Sequence, residues 1–162
     1  MLEPLWQDGG ASIYCWAGKP IGTNAYLFVD GQTKEAMAID ASYGSCEKFL
    51  DYCKNGKIEL RRLVNTHGHW DHVLDNHLFL KHGIPLWIHE LDEYLIKIDQ
   101  SKFLNTSIKF HLSQASVKIQ ADDEIPLGHY KFLTLHTPGH TPGGSCLYEK
   151  TLQLLFTGDT LF

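Results

Sequence analysis

No stretch of this 162-residue chain approaches the length of an apolar membrane span. No cluster of lysine and arginine stands out, and the formal net charge is −5. That balance argues against nucleic acid as a partner. The first residues carry two acids and no basic-then-apolar pattern, so no secretory signal is expected. None of the four cysteines, Cys15, Cys46, Cys53 and Cys146, belongs to a C-x-x-C pair. Cys46 and Cys53 share a helical face and read as small core residues rather than as disulfide partners or ligands. A reducing cytoplasm is the expected setting. Internal repeats and low-complexity linkers are also lacking. The length allows one domain, residues 1–162, large enough to bury a real core.

The composition is otherwise ordinary, with 43% apolar and 20% charged residues. Histidine is the exception, and its placement matters more than its number. Thr66-His67-Gly68-His69-Trp70-Asp71-His72 packs three imidazoles and a carboxylate closely together. These groups suit zinc, iron or manganese. The motif follows Leu60–Thr66, which has the composition of a buried strand. If the backbone stays extended past it, side chains at i, i+2 and i+4 share one side. His67 and His69 can then chelate one ion, Asp71 points the same way, and His72 diverges towards a second ion. The competing explanation is a histidine-rich surface loop.

Around this motif the chain alternates strand and helix signals. Ser12–Trp16 and Ala25–Val29 have strand composition, and Glu35–Ile39 returns from the turn at Asp30-Gly31. Asp40–Gly44 reads as a loop. Ser45 can cap a helix with Cys46, Phe49, Leu50 and Cys53 on one face, ended by Asn55-Gly56. Asp71–Lys81 predicts a helix with Leu74, Leu78 and His82 on one stripe, stopped by Gly83. Ile84–His89 predicts a strand, and Leu91, Tyr94, Leu95 and Ile98 a short helix. Gln100–Ala121 has no clean period and reads as a long irregular connection or lid. Ile125–Leu127 with Tyr130–His136, and Ser145–Tyr148 with Leu152–Phe156, predict two further hairpins. Strand pairs interleaved with helices imply a layered α/β architecture.

Two later segments can complete a metal site. In His136-Thr137-Pro138-Gly139-His140-Thr141-Pro142-Gly143-Gly144, proline and glycine impose a tight loop. Either His136 or His140 can coordinate there. His140, inside the constrained loop, is the better ligand, and His136, closing a strand, is expected to pack or orient. In Phe156-Thr157-Gly158-Asp159-Thr160 a carboxylate directly follows an apolar strand, with Gly158 leaving room. By itself Asp159 would read as a turn residue, but each candidate ligand here follows a predicted strand.

These three segments, in this order, resemble the motifs of the metallo-β-lactamase superfamily. Within it the chain looks most like the glyoxalase II (hydroxyacylglutathione hydrolase) enzymes, whose motifs commonly carry tryptophan at the position of Trp70. The resemblance covers essentially the whole chain and implies a four-layer αββα sandwich with metal ions at one edge of the two sheets. It implies that His67, His69 and His140 bind one ion, that Asp71 and His72 bind a second, and that Asp159 bridges both. The family pattern places a further histidine after the Gly-Asp-Thr motif, whereas no histidine follows His140 here and the chain stops at Leu161-Phe162. The sequence is therefore expected to be truncated before a C-terminal strand and helix layer, with a weakened second metal site and weak activity.

The implied chemistry is hydrolysis. Two divalent ions about 3.5–4 Å apart lower the pKa of a shared water towards roughly 7, and the resulting metal-bound hydroxide attacks a carbonyl carbon. Asp71 would help hold the second ion and orient the hydroxide. A thioester of the S-lactoylglutathione type is the favoured substrate, and zinc the favoured metal over iron or manganese. The alternatives are a lactonase or other small-ester hydrolase, an iron-dependent persulfide dioxygenase, and a metal-binding fragment without activity. His72 argues against a β-lactamase.

Overall fold

The computed structural model describes residues 2–103 and 108–161. Two sheets face each other. The larger runs β1 (Pro4–Asp8), β2 (Ala11–Gly18), β3 (Thr23–Asp30), β4 (Glu35–Ile39), β5 (Glu59–Val64), β6 (Leu86–His89) and β7 (Val117–Ile119), in that spatial order. Its first four strands pair antiparallel and the remainder parallel. The smaller sheet has the order β11 (Leu154–Phe156), β10 (Ser145–Glu149), β9 (Tyr130–His136), β8 (Glu124–Leu127), all antiparallel. Helices α1 (Ser45–Gly56), α2 (Trp70–Val73) and α3 (Asn76–Lys81) make their main contacts with the larger sheet. The two facing sheets and this helical layer are those of the αββα sandwich.

Alternation along the central strands builds two cores. In β4, Ala36 and Ala38 face the helices, whereas Met37 and Ile39 face the smaller sheet. In β3, Leu27 and Val29 join the helical side while Phe28 packs edge-on to Tyr130 and Phe132 between the sheets. A strand buried on both faces must be apolar throughout, which is why β4 carries no polar residue after Glu35. The smaller sheet has one buried face, and Phe156 at its edge is held against Tyr26 of β3.

Tertiary contacts redraw several predicted elements. The helix expected over 71–81 is broken into α2 and α3. At the break, the Asp75 amide donates to Ala41 O and its carboxylate accepts the Cys46 amide, so the 40–46 loop takes backbone and side chain out of the helical pattern. Val73, Leu74 and Phe79 are buried there and Leu78 packs partly buried against the same core, whereas His82 of the expected stripe is exposed. Ser45 is the first residue of α1 rather than its cap, and Asp75 accepts from the start of that helix in its place. The helix expected over 91–98 is two 3-10 turns, Glu90–Asp92 and Leu95–Lys97. Leu91, Tyr94 and Ile98 are exposed, while Asp92, Ile96 and Gln100 are buried. Strand β1, mostly exposed, was not signalled by its composition. The connection over 100–121 contains a 3-10 turn, Ser101–Phe103, and β7; residues 104–107 of that expected lid lie outside the described residues.

Candidate metal centre

Strand β5 delivers the histidine motif from the middle of the larger sheet. The chain is extended at His69, but α2 begins at Trp70, so the strand-like alternation does not reach Asp71. His67 and His69 converge as expected, with ring centroids 4.9 Å apart. Asp71 and His72 are placed by the first turn of α2. His72 lies against His67, ring centroids 4.2 Å apart, and its Nε2 is 3.4 Å from Asp71 Oδ2. The β9–β10 loop brings His140 to the same point, with its Nε2 2.8 Å from His69 Nδ1. The turn after β11 brings Asp159, whose two oxygens lie 3.1 Å from His72 Nε2 and 3.2 Å from His140 Nε2. Gly158 has φ +50, and a Cβ there would strike the Thr66 side chain, so glycine lets this turn close onto β5.

Two groups of ligand atoms result. His67, His69 and His140 form one; His67, His72 and Asp159 form the other; in each the atoms lie within 4.8 Å of one another. Asp71 belongs to neither group in this geometry but borders the second. His136 stands apart: its ring stacks on His89 at 4.3 Å and its Nε2–H donates to Pro142 O, bracing the loop that carries His140.

The electrostatics suit cations. His67 is buried and its pKa falls to about 4, first through desolvation and then through His72. It is therefore neutral at physiological pH, with a lone pair free to bind. His69 is shifted down by burial and by His140. Burial also pulls His72 down, but Asp40, Asp159 and Asp71 outweigh it and raise the pKa to about 10. Asp159 is held low chiefly by its hydrogen bond with His72. Carboxylates crowding an imidazole that offers Nε2 to a shared space make a pocket for positive charge, whether proton or metal ion.

Two supporting residues escaped the reading of the sequence. Asp40, taken for a loop residue, is buried at the end of β4 and accepts from Thr66 N at 2.7 Å, Thr66 Oγ1 at 2.8 Å and His72 Nδ1 at 2.9 Å. This bond aims His72 Nε2 at the cluster. A signal was available, since Asp40 directly follows an apolar strand and Asp159 comes just after one. Thr23, at the start of β3, donates its hydroxyl to Asp71 Oδ2 at 2.7 Å; nothing in its local sequence marks it. Beside Asp71, His72 and Asp159 opens a cleft of about 700 Å³, walled by Trp6, Tyr26 and Phe156.

The metallo-beta-lactamase superfamily profile matches residues 18–162. An uncharacterized protein of Aquifex aeolicus (strain VF5) is 37% identical over 148 residues, covering 88% of this chain and 67% of that protein. The hydroxyacylglutathione hydrolase of Thermosynechococcus vestitus (strain NIES-2133 / IAM M-273 / BP-1) is 33% identical over 142 residues, or 86% of this chain and 50% of that enzyme. The crystal structure of the BLEG-1 B3 metallo-beta-lactamase is similar at a TM-score of 0.81 and 25% identity, covering 93% of this chain and 73% of that one. This chain thus spans only part of the length of each. The profile covers nearly the whole chain, and the chain belongs to the metallo-beta-lactamase superfamily.

Proposed function

We propose that this chain is a metal-dependent hydrolase that uses two divalent ions, zinc by preference, on a thioester of the S-lactoylglutathione type. The observation that carries the reading is His67 Nε2. It is buried, has no hydrogen-bond partner among the described residues, and belongs to the residue common to both groups of ligand atoms. An unpaired buried nitrogen costs about 1–3 kcal/mol, and a metal ion accepting its lone pair would remove that cost. His67, His69 and His140 would hold one ion, a donor set suited to zinc. His72 and Asp159, with Asp71 beside them, would hold the other.

When bound, the ions lower the pKa of a water and polarise the substrate carbonyl. The remaining tasks fall to the chain itself. Asp40 orients His72 through Nδ1, and Thr23 orients the Asp71 carboxylate. Hydrolysis joins the water oxygen to the carbonyl carbon, breaks the C–S bond and passes a proton to the leaving sulfur. Asp71, which lines the cleft, would carry that proton. The apolar wall of Trp6, Tyr26 and Phe156 would seat the acyl portion and keep bulk water away.

The thioester class is supported by the identity to the hydroxyacylglutathione hydrolase. The likeness to a B3 metallo-beta-lactamase puts a β-lactam back among the compounds to test. The test is metal analysis of purified protein followed by a panel of thioesters, lactones, β-lactams and persulfides, with oxygen uptake recorded. Thioester turnover that is lost on chelation and restored by zinc is expected. Persulfide oxidation with oxygen consumption by iron-loaded protein, or no bound metal at all, would overturn the reading.

A further inference from the structure

We infer that Asp92 is a positioning residue for the three-histidine site, holding the loop of His69 and the loop of His140 at one fixed separation. The inference rests on the metal-site reading above but concerns a residue outside both groups of ligand atoms. Asp92 ends the 3-10 turn after β6 and is fully buried. Both of its oxygens are used. Oδ2 accepts from Gly68 N at 2.9 Å and from Thr141 Oγ1 at 2.7 Å, and Oδ1 accepts from Gly143 N at 2.6 Å.

Two of the three donors adjoin a candidate ligand, and the third, Gly143, lies in the loop that carries His140. Gly68 lies between His67 and His69, and Thr141 follows His140. One carboxylate thus spans two loops that are remote in sequence and meet at the cluster. The fit is close on both sides. A Cβ at Gly68 would come within 2.7 Å of Leu95 Cβ, and a Cβ at Gly143 within 2.7 Å of Asp92 N. Neither loop could seat on this turn with a larger residue there. Gln100 reinforces the joint, its Nε2 donating to Gly68 O and to Leu95 O.

A buried carboxylate is retained only where its lone pairs are satisfied, and here all the donors identified come from ligand-bearing loops or their neighbours. Its effect is to pre-pay the ordering of His69 and His140, so that an ion meets imidazoles already converged. Outer partners of this kind typically govern metal affinity by about 10–100-fold.

The experiment uses metal-free protein titrated with Co²⁺ alone, read by the visible band of a four-coordinate site, at temperatures well below each variant's own unfolding midpoint. Asp92→Ala should weaken binding of the first equivalent by about 10–100-fold, with Asp92→Asn between it and the parent. Thr141→Val keeps the shape and removes one hydroxyl donor, and should weaken binding by roughly three- to tenfold. A merely structural role would lower the unfolding midpoint and leave the Co²⁺ affinity of folded protein unchanged. Folded Asp92→Ala binding Co²⁺ as tightly as the parent overturns the inference. If that variant does not fold, parent-like binding by Thr141→Val overturns it. A parent chain that takes up no Co²⁺ removes the metal-site reading itself, and the inference with it.

Discussion

His136 and His140 occupy one loop yet have different surroundings. His140 faces His69 and Asp159, whereas His136 donates to Pro142 O and stacks on His89. His140→Ala should therefore lose at least one equivalent of bound metal. His136→Ala, which leaves every candidate ligand in place, should retain metal and show at most a modest loss of affinity. Mass-spectrometric metal analysis after dialysis checks both, and the reverse pattern would show that the wrong imidazole has been assigned. Thr23→Val tests the bond to Asp71 in a similar way. Removing the hydroxyl leaves the carboxylate unoriented, and the expected result is a fall in thioester turnover of about tenfold at unchanged metal content. Turnover equal to the parent would show that Asp71 needs no such support.

At the scale of the element, α1 shows how a helix end is chosen. Asn55-Gly56 looks like its stop, yet the left-handed residue is Lys57, at φ 52 and ψ 45. Ile58 N reaches Cys53 O at 2.8 Å and Lys57 N reaches Lys54 O, the paired bonds of a Schellman close. Ile58 must turn inward to pack on the helical core, and that requirement sets the reversal one residue later than glycine alone would. A lysine in this conformation carries a Cβ penalty that glycine lacks. Lys57→Gly should accordingly stabilise the protein by about 0.5–1 kcal/mol, read as a raised urea midpoint at unchanged slope. Destabilisation would mean that the lysine side chain contributes more than its backbone costs.

At the scale of the molecule, the two sheets are joined far from the metal centre by Asp30. It closes β3, is fully buried, and accepts from Gln32 N, Thr33 N, His129 N and the His129 ring. His129 belongs to the β8–β9 turn of the other sheet. Burial alone would raise the Asp30 pKa, but the amide donors and the ring outweigh it and bring it to about 2, below its ordinary 3.8. Because the folded value is the lower one, the stabilisation is complete above the ordinary value and disappears as pH falls through about 2. Its size is about 2 kcal/mol. Asp30→Asn should thus cost about that much at neutral pH, with the gap to the parent narrowing between about pH 4 and pH 2 in urea unfolding. A gap independent of pH would show that the carboxylate's charge is not what holds the sheets together there.

The sequence by itself determined most of the strands, β1 and β7 excepted, because β2 to β5 and the later hairpins are written in apolar runs and turn residues whose preferences are local. It also determined the candidate ligands: His67, His69, Asp71 and His72 stand within one short stretch, and His140 and Asp159 each follow a strand. Only the tertiary structure decided which of these side chains share a space. The alternation rule ended at His69 because α2 begins at Trp70, and His67 is the residue common to both groups of ligand atoms. The helix expected over 71–81 broke where Asp75 was drawn to the 40–46 loop, and the apolar stripe expected over 91–98 faces outward while Asp92 is buried. Thr23 and Asp92 were illegible, and Asp40 only half-legible, for the same reason. Each is defined by hydrogen bonds to residues far along the chain, and a buried carboxylate reads in sequence like any exposed one until its donors are known.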